Sequence, residues 1–186
     1  VYTACDIGRM VTIIIYYQLI PRNTIHIIDC TRIERGGIND TAQDMKKKNY
    51  TYGRHYWPHD MEVKEFGATM KRIQIAETLG VGGKVLEKEK DKQEGIECVR
   101  QIFPRTFIDK EKCKELIRAL RNYRHEYDTL KGTYSKNPVS DWSADWADAF
   151  RYVARSAIEV EYESGWNHQS IEEAIHQASL EKNPYR

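Results

Sequence analysis

Three aspartates stand close together late in this chain of 186 residues. Asp141, Asp145 and Asp148 fall at i, i+4 and i+7 in DWSADWADAFRYVAR, a stretch with no Pro or Gly. At about 100° per residue, helical positions seven apart differ by only ~20° round the axis, so the three carboxylates would crowd one stripe of a helix. Like charges held that close raise one another's pKa and cost stability unless a cation lies between them. One reading is a solvated acidic face whose first carboxylate caps the helix; the other is a metal site. Two further aspartates bear on the choice, Asp6 at the end of the first apolar run and Asp60 after the aromatic run ending in Trp57-Pro58-His59. A lone Asp at a strand end is ordinarily a turn residue. Three acidic groups brought from distant positions can do more. Carboxylate oxygens are the hard ligands that Mg²⁺ and Mn²⁺ prefer, and two such ions about 4 Å apart can clamp the attacking and leaving oxygens of a phosphodiester.

The elements that must position these groups are legible from pattern. Val1–Ile7 reads as a strand carrying Asp6 and broken by Gly8, Thr12–Ile20 as a second, and Thr24–Cys30, extending towards Ile33, as a third, all joined by short connections as an antiparallel meander. The continuous run IIIYY predicts a strand covered on both faces. A helix is expected from Ile38 to Asn49, a fourth strand over Thr51–Pro58, a helix from Glu62 or Thr69 to Leu79, and a fifth strand over Val81–Glu87. Lys88–Gln93 reads as a solvated charged loop. Helices are then expected over Gln93–Phe103 and Lys110–Lys131, with a short strand at Thr106–Ile108 between them. The acidic segment has Ala144, Ala147, Ala149, Phe150 and Val153 at core-facing spacing, and Asp141 or Ser140 as its N-cap. Ser164-Gly165 breaks the pattern before a last polar helix over Ser170–Leu180, so the chain divides into a domain over 1–163 and a polar helical tail over 164–186.

Composition bounds the function. The chain is 40% hydrophobic and 31% charged, enough for one full core. Its net charge of +1 neither demands nor excludes nucleic acid. Cys5, Cys30, Cys98 and Cys113 form no CxxC pair, so free thiols in a reducing compartment are expected. TIIIYYQLI is far too short for a membrane span. The chain opens on a strand without an initiator Met, as expected of a domain excised from a longer protein, and it holds no G-x-x-x-x-G-K-[ST] phosphate loop.

A meander followed by strand–helix alternation is an α/β mixed-sheet pattern, in the order seen in ribonuclease H-like folds. The segments YTACDIG, IHIIDC, YGRHYWPHD, KRIQIAETLG, GIECVRQIFP, ALRNYRHEYD and DWSADWADAFRYVA, in that order over Tyr2–Ala154, resemble the C-terminal nuclease domain of the large terminase subunit of tailed phages. The resemblance implies a ribonuclease H-like mixed sheet flanked by helices and two-metal cleavage of concatemeric double-stranded DNA using two Mg²⁺ or Mn²⁺ ions. By position it implies that Asp6, Asp60 and Asp148 are catalytic metal ligands. In a full-length terminase it implies an N-terminal ATPase domain, a portal protein and a small terminase subunit as partners, no membrane, and work in the host cell cytoplasm. Two positions depart from the pattern. Relatives commonly have an acidic residue a few places after the first Asp, where this chain has Val11. They also commonly have His three residues before the last Asp; here Asp145 stands there, able to ligate or orient a metal but not to act as an imidazole base.

Basic residues are the second requirement. Arg9, beside Asp6, is the first candidate to meet a scissile phosphate, with Arg54, Lys64, Lys71, Arg72, Arg121 and Arg124 as further phosphate contacts. Any one of them is as readily a solvated surface group. His55, His59, Asp29 and Glu34 are outlying candidates near the site, and Tyr50, Tyr52, Tyr56 and Trp57 read as core rather than as a base-stacking surface. Two other functions stay open: a non-catalytic ribonuclease H-like module that binds DNA or a portal, and a resolvase- or integrase-like nuclease of the same fold.

Overall fold

The fold is a computed structural model that describes residues 1–20, 24–64 and 69–164. Its centre is a six-stranded mixed sheet in the order β5-β4-β1-β2-β3-β6. Strands β1 (Tyr2–Ile7), β2 (Val11–Ile20) and β3 (Thr24–Glu34) form the expected antiparallel meander. Strand β4 (His55–Trp57) then adds parallel to β1, β5 (Lys84–Val85) parallel to β4, and β6 (Thr106–Ile108) parallel to β3. Hence β1, β3, β4, β5 and β6 all end at one edge of the sheet. Loops after the carboxyl ends of such strands are the usual place for a site in an open α/β sheet.

Alternation along the strands sorts side chains to two cores. Ala4, Ile13, Ile15 and Tyr17 face one helical layer, while Cys5, Ile14 and Tyr16 face the other. The central strands are therefore covered on both sides, as the IIIYY run predicts. The first layer is α5 (Trp142–Ser164), flanked by α3 (Lys92–Ile102) and α4 (Lys114–Asn122). The second is α1 (Ile38–Lys47) and α2 (Arg72–Thr78). In α5, Ala147, Ala149, Phe150, Val153, Ala154 and Ala157 are all buried. Truncating a side chain such as Phe150 would cost about 3–5 kcal/mol.

Three expectations are corrected. The fourth and fifth strands are much shorter than Thr51–Pro58 and Val81–Glu87, because only residues beside β1 and β4 find a ladder partner. Lys92 belongs to a helix rather than to a charged loop; Asp91 caps α3 by accepting from the Glu94 amide at 3.1 Å. The long helix over Lys110–Lys131 does not form. It is replaced by α4 and a hairpin of β7 (His125–Asp128) and β8 (Thr133–Pro138). Asp128 Oδ1 accepts from the amides of Leu130 and Lys131 and so sets the turn. Gly132 completes it at φ +62°, a conformation that costs a residue with a Cβ about 1 kcal/mol or more. Tyr127 and Tyr134 then face each other across the strands, with ring centroids 5.0 Å apart. The helix-like spacing of Leu116, Leu120, Tyr123 and Tyr127 misled because only Leu116 and Leu120 of the four lie within α4. The tail helix expected over Ser170–Leu180 lies outside the described residues.

Candidate metal centre

Strand β1 delivers Asp6 to the sheet edge on the α5 side, opposite Ile13. Strand β4 leads through Pro58 into a 3₁₀ turn, His59–Glu62, that carries Asp60 to the same edge. Helix α5 starts above that edge, where Asp141 accepts from both the amide and the hydroxyl of Ser143, at 2.9 and 2.6 Å, as an N-terminal cap should. Asp145 and Asp148 follow on its first turns.

Electrostatics register the convergence. Asp6 is pushed up to about 7, first by burial and then by the charges of Asp148, Asp145 and Asp60, against the charge of Arg151. Asp145 is raised by burial and by Asp148, against Arg32 and Lys92. Asp141 behaves otherwise. Its bonds to Ser143, and then its 3.0 Å contact with Arg124, hold it below the usual carboxylate range. It is the capping carboxylate of the acidic stripe and stands apart from the other two.

The donor chemistry fits hard divalent cations, and a half-buried carboxylate surrounded by three others is a group in need of positive charge. In the present arrangement that charge comes from side chains. Arg151 donates to Asp148 Oδ1 and Lys92 Nζ lies 3.5 Å from Oδ2. Asp60 Oδ1 is 2.9 Å from His59 Nε2. Among the described residues, no three His, Cys, Asp or Glu side chains are set to hold an ion as they stand.

Sequence reasoning missed Arg151, Lys92 and Glu89. Arg151 sits one helical turn from Asp148, a spacing that was in view. Its side chain is only 6% exposed and its Nε is 3.3 Å from Glu89 Oε2. Burial works against its charge, but Asp148 and Glu89 outweigh burial and hold the guanidinium above its ordinary range. This packing requires Gly95. A Cβ there would lie 2.3 Å from Glu89 Oε1 and 2.7 Å from Arg151 Cδ. Nothing local in the sequence marks Glu89, which α3 and α5 enclose from a loop.

The basic candidates divide. Arg9 is exposed in the bend directly after Asp6. Lys71, the residue before α2, is 2.5 Å from Glu62 and is bridged to Lys64, so it and Arg72 lie just beyond the turn that bears Asp60. Arg121 is exposed on the last turn of α4, and Arg124 is tied to Asp141 at the start of α5. Arg54 is not with them. It precedes β4, at the other edge of the sheet, paired with Glu163 at 2.8 Å. Glu163 lies about 22 Å along the helix axis from Asp148. His55 is also at that edge, bonded to Thr3 Oγ1 at 2.8 Å, and burial lowers it to about 4. Asp29 faces away from the site, held by Lys48 at 2.8 Å and Tyr50 at 3.2 Å, and Glu34 pairs with Arg32. Tyr56 and Trp57 are fully buried, and Tyr50 and Tyr52 pack against the second core. All four cysteines are free, and no helix among the described residues is long and apolar enough to cross a membrane.

No protein-family model and no curated protein sequence matches the chain. Solved structures do. The nuclease domain of the large terminase g2p of bacteriophage SPP1, with bound Mn, matches at a TM-score of 0.61 and 17% identity, covering 81% of this chain and 82% of that one. The nuclease domain of the P22 large terminase gives 0.57 and 17%, over 81% and 77%. The large terminase nuclease of thermophilic phage G20c, with bound magnesium, gives 0.57 and 16%, over 82% and 79%. The chain has the ribonuclease H-like fold of phage large-terminase nuclease domains, including ones that bind metal.

Proposed function

We propose that this chain is the metal-dependent endonuclease domain of a viral DNA-packaging terminase and cleaves concatemeric double-stranded DNA. What supports this most is the meeting of four carboxylate charges at Asp6, on the edge where five strands end, in a fold whose solved examples include metal-bound nucleases. In this reading Asp6, Asp60 and Asp148 hold two Mg²⁺ or Mn²⁺ ions, with Asp145 as a further ligand. Bound there, divalent ions would lower the pKa of the attacking water and stabilise the leaving 3′-oxygen. The protein's own part is to position. Strand β1 fixes Asp6, α5 fixes Asp148 through Arg151, and Arg9 offers its charge to the phosphate next to the cut. Such contacts position DNA without reading its sequence, so weak sequence preference is expected. An N-terminal ATPase domain, a portal and a small terminase subunit would be its partners, in the host cytoplasm.

The test is plasmid DNA incubated with the domain. Nicking or linearisation is expected with Mn²⁺ or Mg²⁺, none with EDTA, and none from Asp6→Asn, whose amide is a poor ligand for a hard cation. Wild-type cleavage by that variant would end this mechanism. A second reading, a non-catalytic DNA- or portal-binding module, draws on Asp148 being already neutralised by Arg151 and Lys92. DNA binding without any divalent-dependent cleavage would favour it.

A further inference from the structure

The two oxygens of Asp148 are held by cations of different kinds. Arg151, on Oδ1, is fixed from behind. Glu89 grips its Nε, the Tyr123 hydroxyl accepts from Nη1 at 3.4 Å, and the stem lies against the α3 backbone at Gly95. Glu89 is itself braced by Arg155, 3.8 Å away, whose Nη2 donates to the Glu87 carbonyl at 2.6 Å. Lys92, facing Oδ2, has none of this support. Its side chain is 39% exposed, its contact is a long 3.5 Å, and among the described residues its Nζ has no second hydrogen-bond partner. A long, part-exposed ion pair is weak because water competes for both ends. Lysine is also a point charge on a flexible stem, whereas the buried guanidinium is a fixed fork.

We propose that Lys92 is a tethered placeholder for a divalent cation: it sits on Asp148 Oδ2 while the site is free of metal and leaves when metal binds, while Arg151 stays on Oδ1 and presents Oδ2 alone. This rests on the endonuclease reading, since it needs an ion that uses Asp148. The exchange is favourable in charge, because one positive charge among four carboxylates is replaced by two. The charge of Lys92 also bears on Asp145, opposing the effects of burial and of Asp148 there. The metal affinity of such a site is set partly by a residue that never touches the metal.

Mn²⁺ binding to the intact chain without DNA, followed by the electron paramagnetic resonance of the free ion, tests this. Lys92→Met removes the competitor and should tighten binding about fivefold. Lys92→Arg keeps a cation with a better fork for a carboxylate and should bind Mn²⁺ no more tightly than the wild type. The metal-free Lys92→Met protein should melt below wild type and gain more in Tm on adding Mn²⁺. Binding by Lys92→Met that is unchanged or weaker would overturn the placeholder role and leave the endonuclease reading standing. A wild-type chain that binds no Mn²⁺ would instead overturn that reading, and the placeholder with it.

Discussion

Asp6 carries most of the tension in the site. Burial and the neighbouring carboxylates raise it to about 7, while an unfolded Asp titrates near 3.8. The folded state therefore binds the extra proton between those two values. The stability that this proton contributes is complete below about pH 4 and is lost as pH rises through about 7. Asp148 differs in having cationic partners. From sequence, mutual repulsion should make its removal harmless to stability; in the structure it is paired with a buried arginine. Asp6→Asn should thus raise the metal-free Tm above wild type at pH 8, by a smaller margin at pH 5, and hardly change it below about pH 4. Asp148→Asn should lower stability by about 2 kcal/mol at pH 8, since it takes from the buried Arg151 one of the two carboxylates that balance its charge. Thermal melts in EDTA at each pH give the comparison, and equal effects of the two variants would contradict this division of roles.

At the scale of elements, the site depends on how closely α3 lies against α5. Gly95 is the point of contact, where the Arg151–Glu89 pair rests directly on helix backbone. Alanine is the better helix former by about 1 kcal/mol in isolation. Here the added methyl would collide with both charged groups, and overpacking of that kind costs about 1–3 kcal/mol. Gly95→Ala should therefore destabilise the domain by about 1–2 kcal/mol in urea melts and reduce cleavage by moving Arg151 off Asp148. A Gly95→Ala protein more stable than wild type would show that the pair has room to shift. The β7–β8 hairpin is tied down differently. Among the described residues its strands pair only with each other, and it exposes Tyr127, Leu130 and Tyr134, so its integrity rests on the Asp128 turn and on Gly132.

Over the whole molecule, a net charge of +1 means that the proposed attraction to DNA must come from where cations lie rather than from their number. The sheet separates them. Arg9 lies at the edge with Asp6, and Arg54 lies at the other edge, paired with Glu163. Arg9→Ala should weaken double-stranded DNA binding and reduce the slope of log K against log salt by about one phosphate's worth, near 0.9. Arg54→Ala should leave that slope unchanged. Fluorescence anisotropy with a labelled duplex over a salt series measures both, and a loss of slope in Arg54→Ala would place the DNA on the opposite edge.

The meander, helices α1, α3 and α5, and three aspartates at strand ends and on a late helix were all legible, because each leaves a local mark: β-branched runs, 3.6-residue spacing, a capping Asp. The lengths of β4 and β5 were not, since each is set by the neighbour that offers a ladder. Nor was the hairpin, whose tyrosines share a spacing with helices and were turned by Asp128 and Gly132. Sequence spacing put Asp141 in line with Asp145 and Asp148, yet its oxygens went to Ser143 and Arg124. Only tertiary structure set Glu89, Lys92 and Gly95 around Arg151, and sent Arg54 away from the site. Ion pairs between distant segments depend on which elements pack together, and no periodicity in one segment records what another will bring to it.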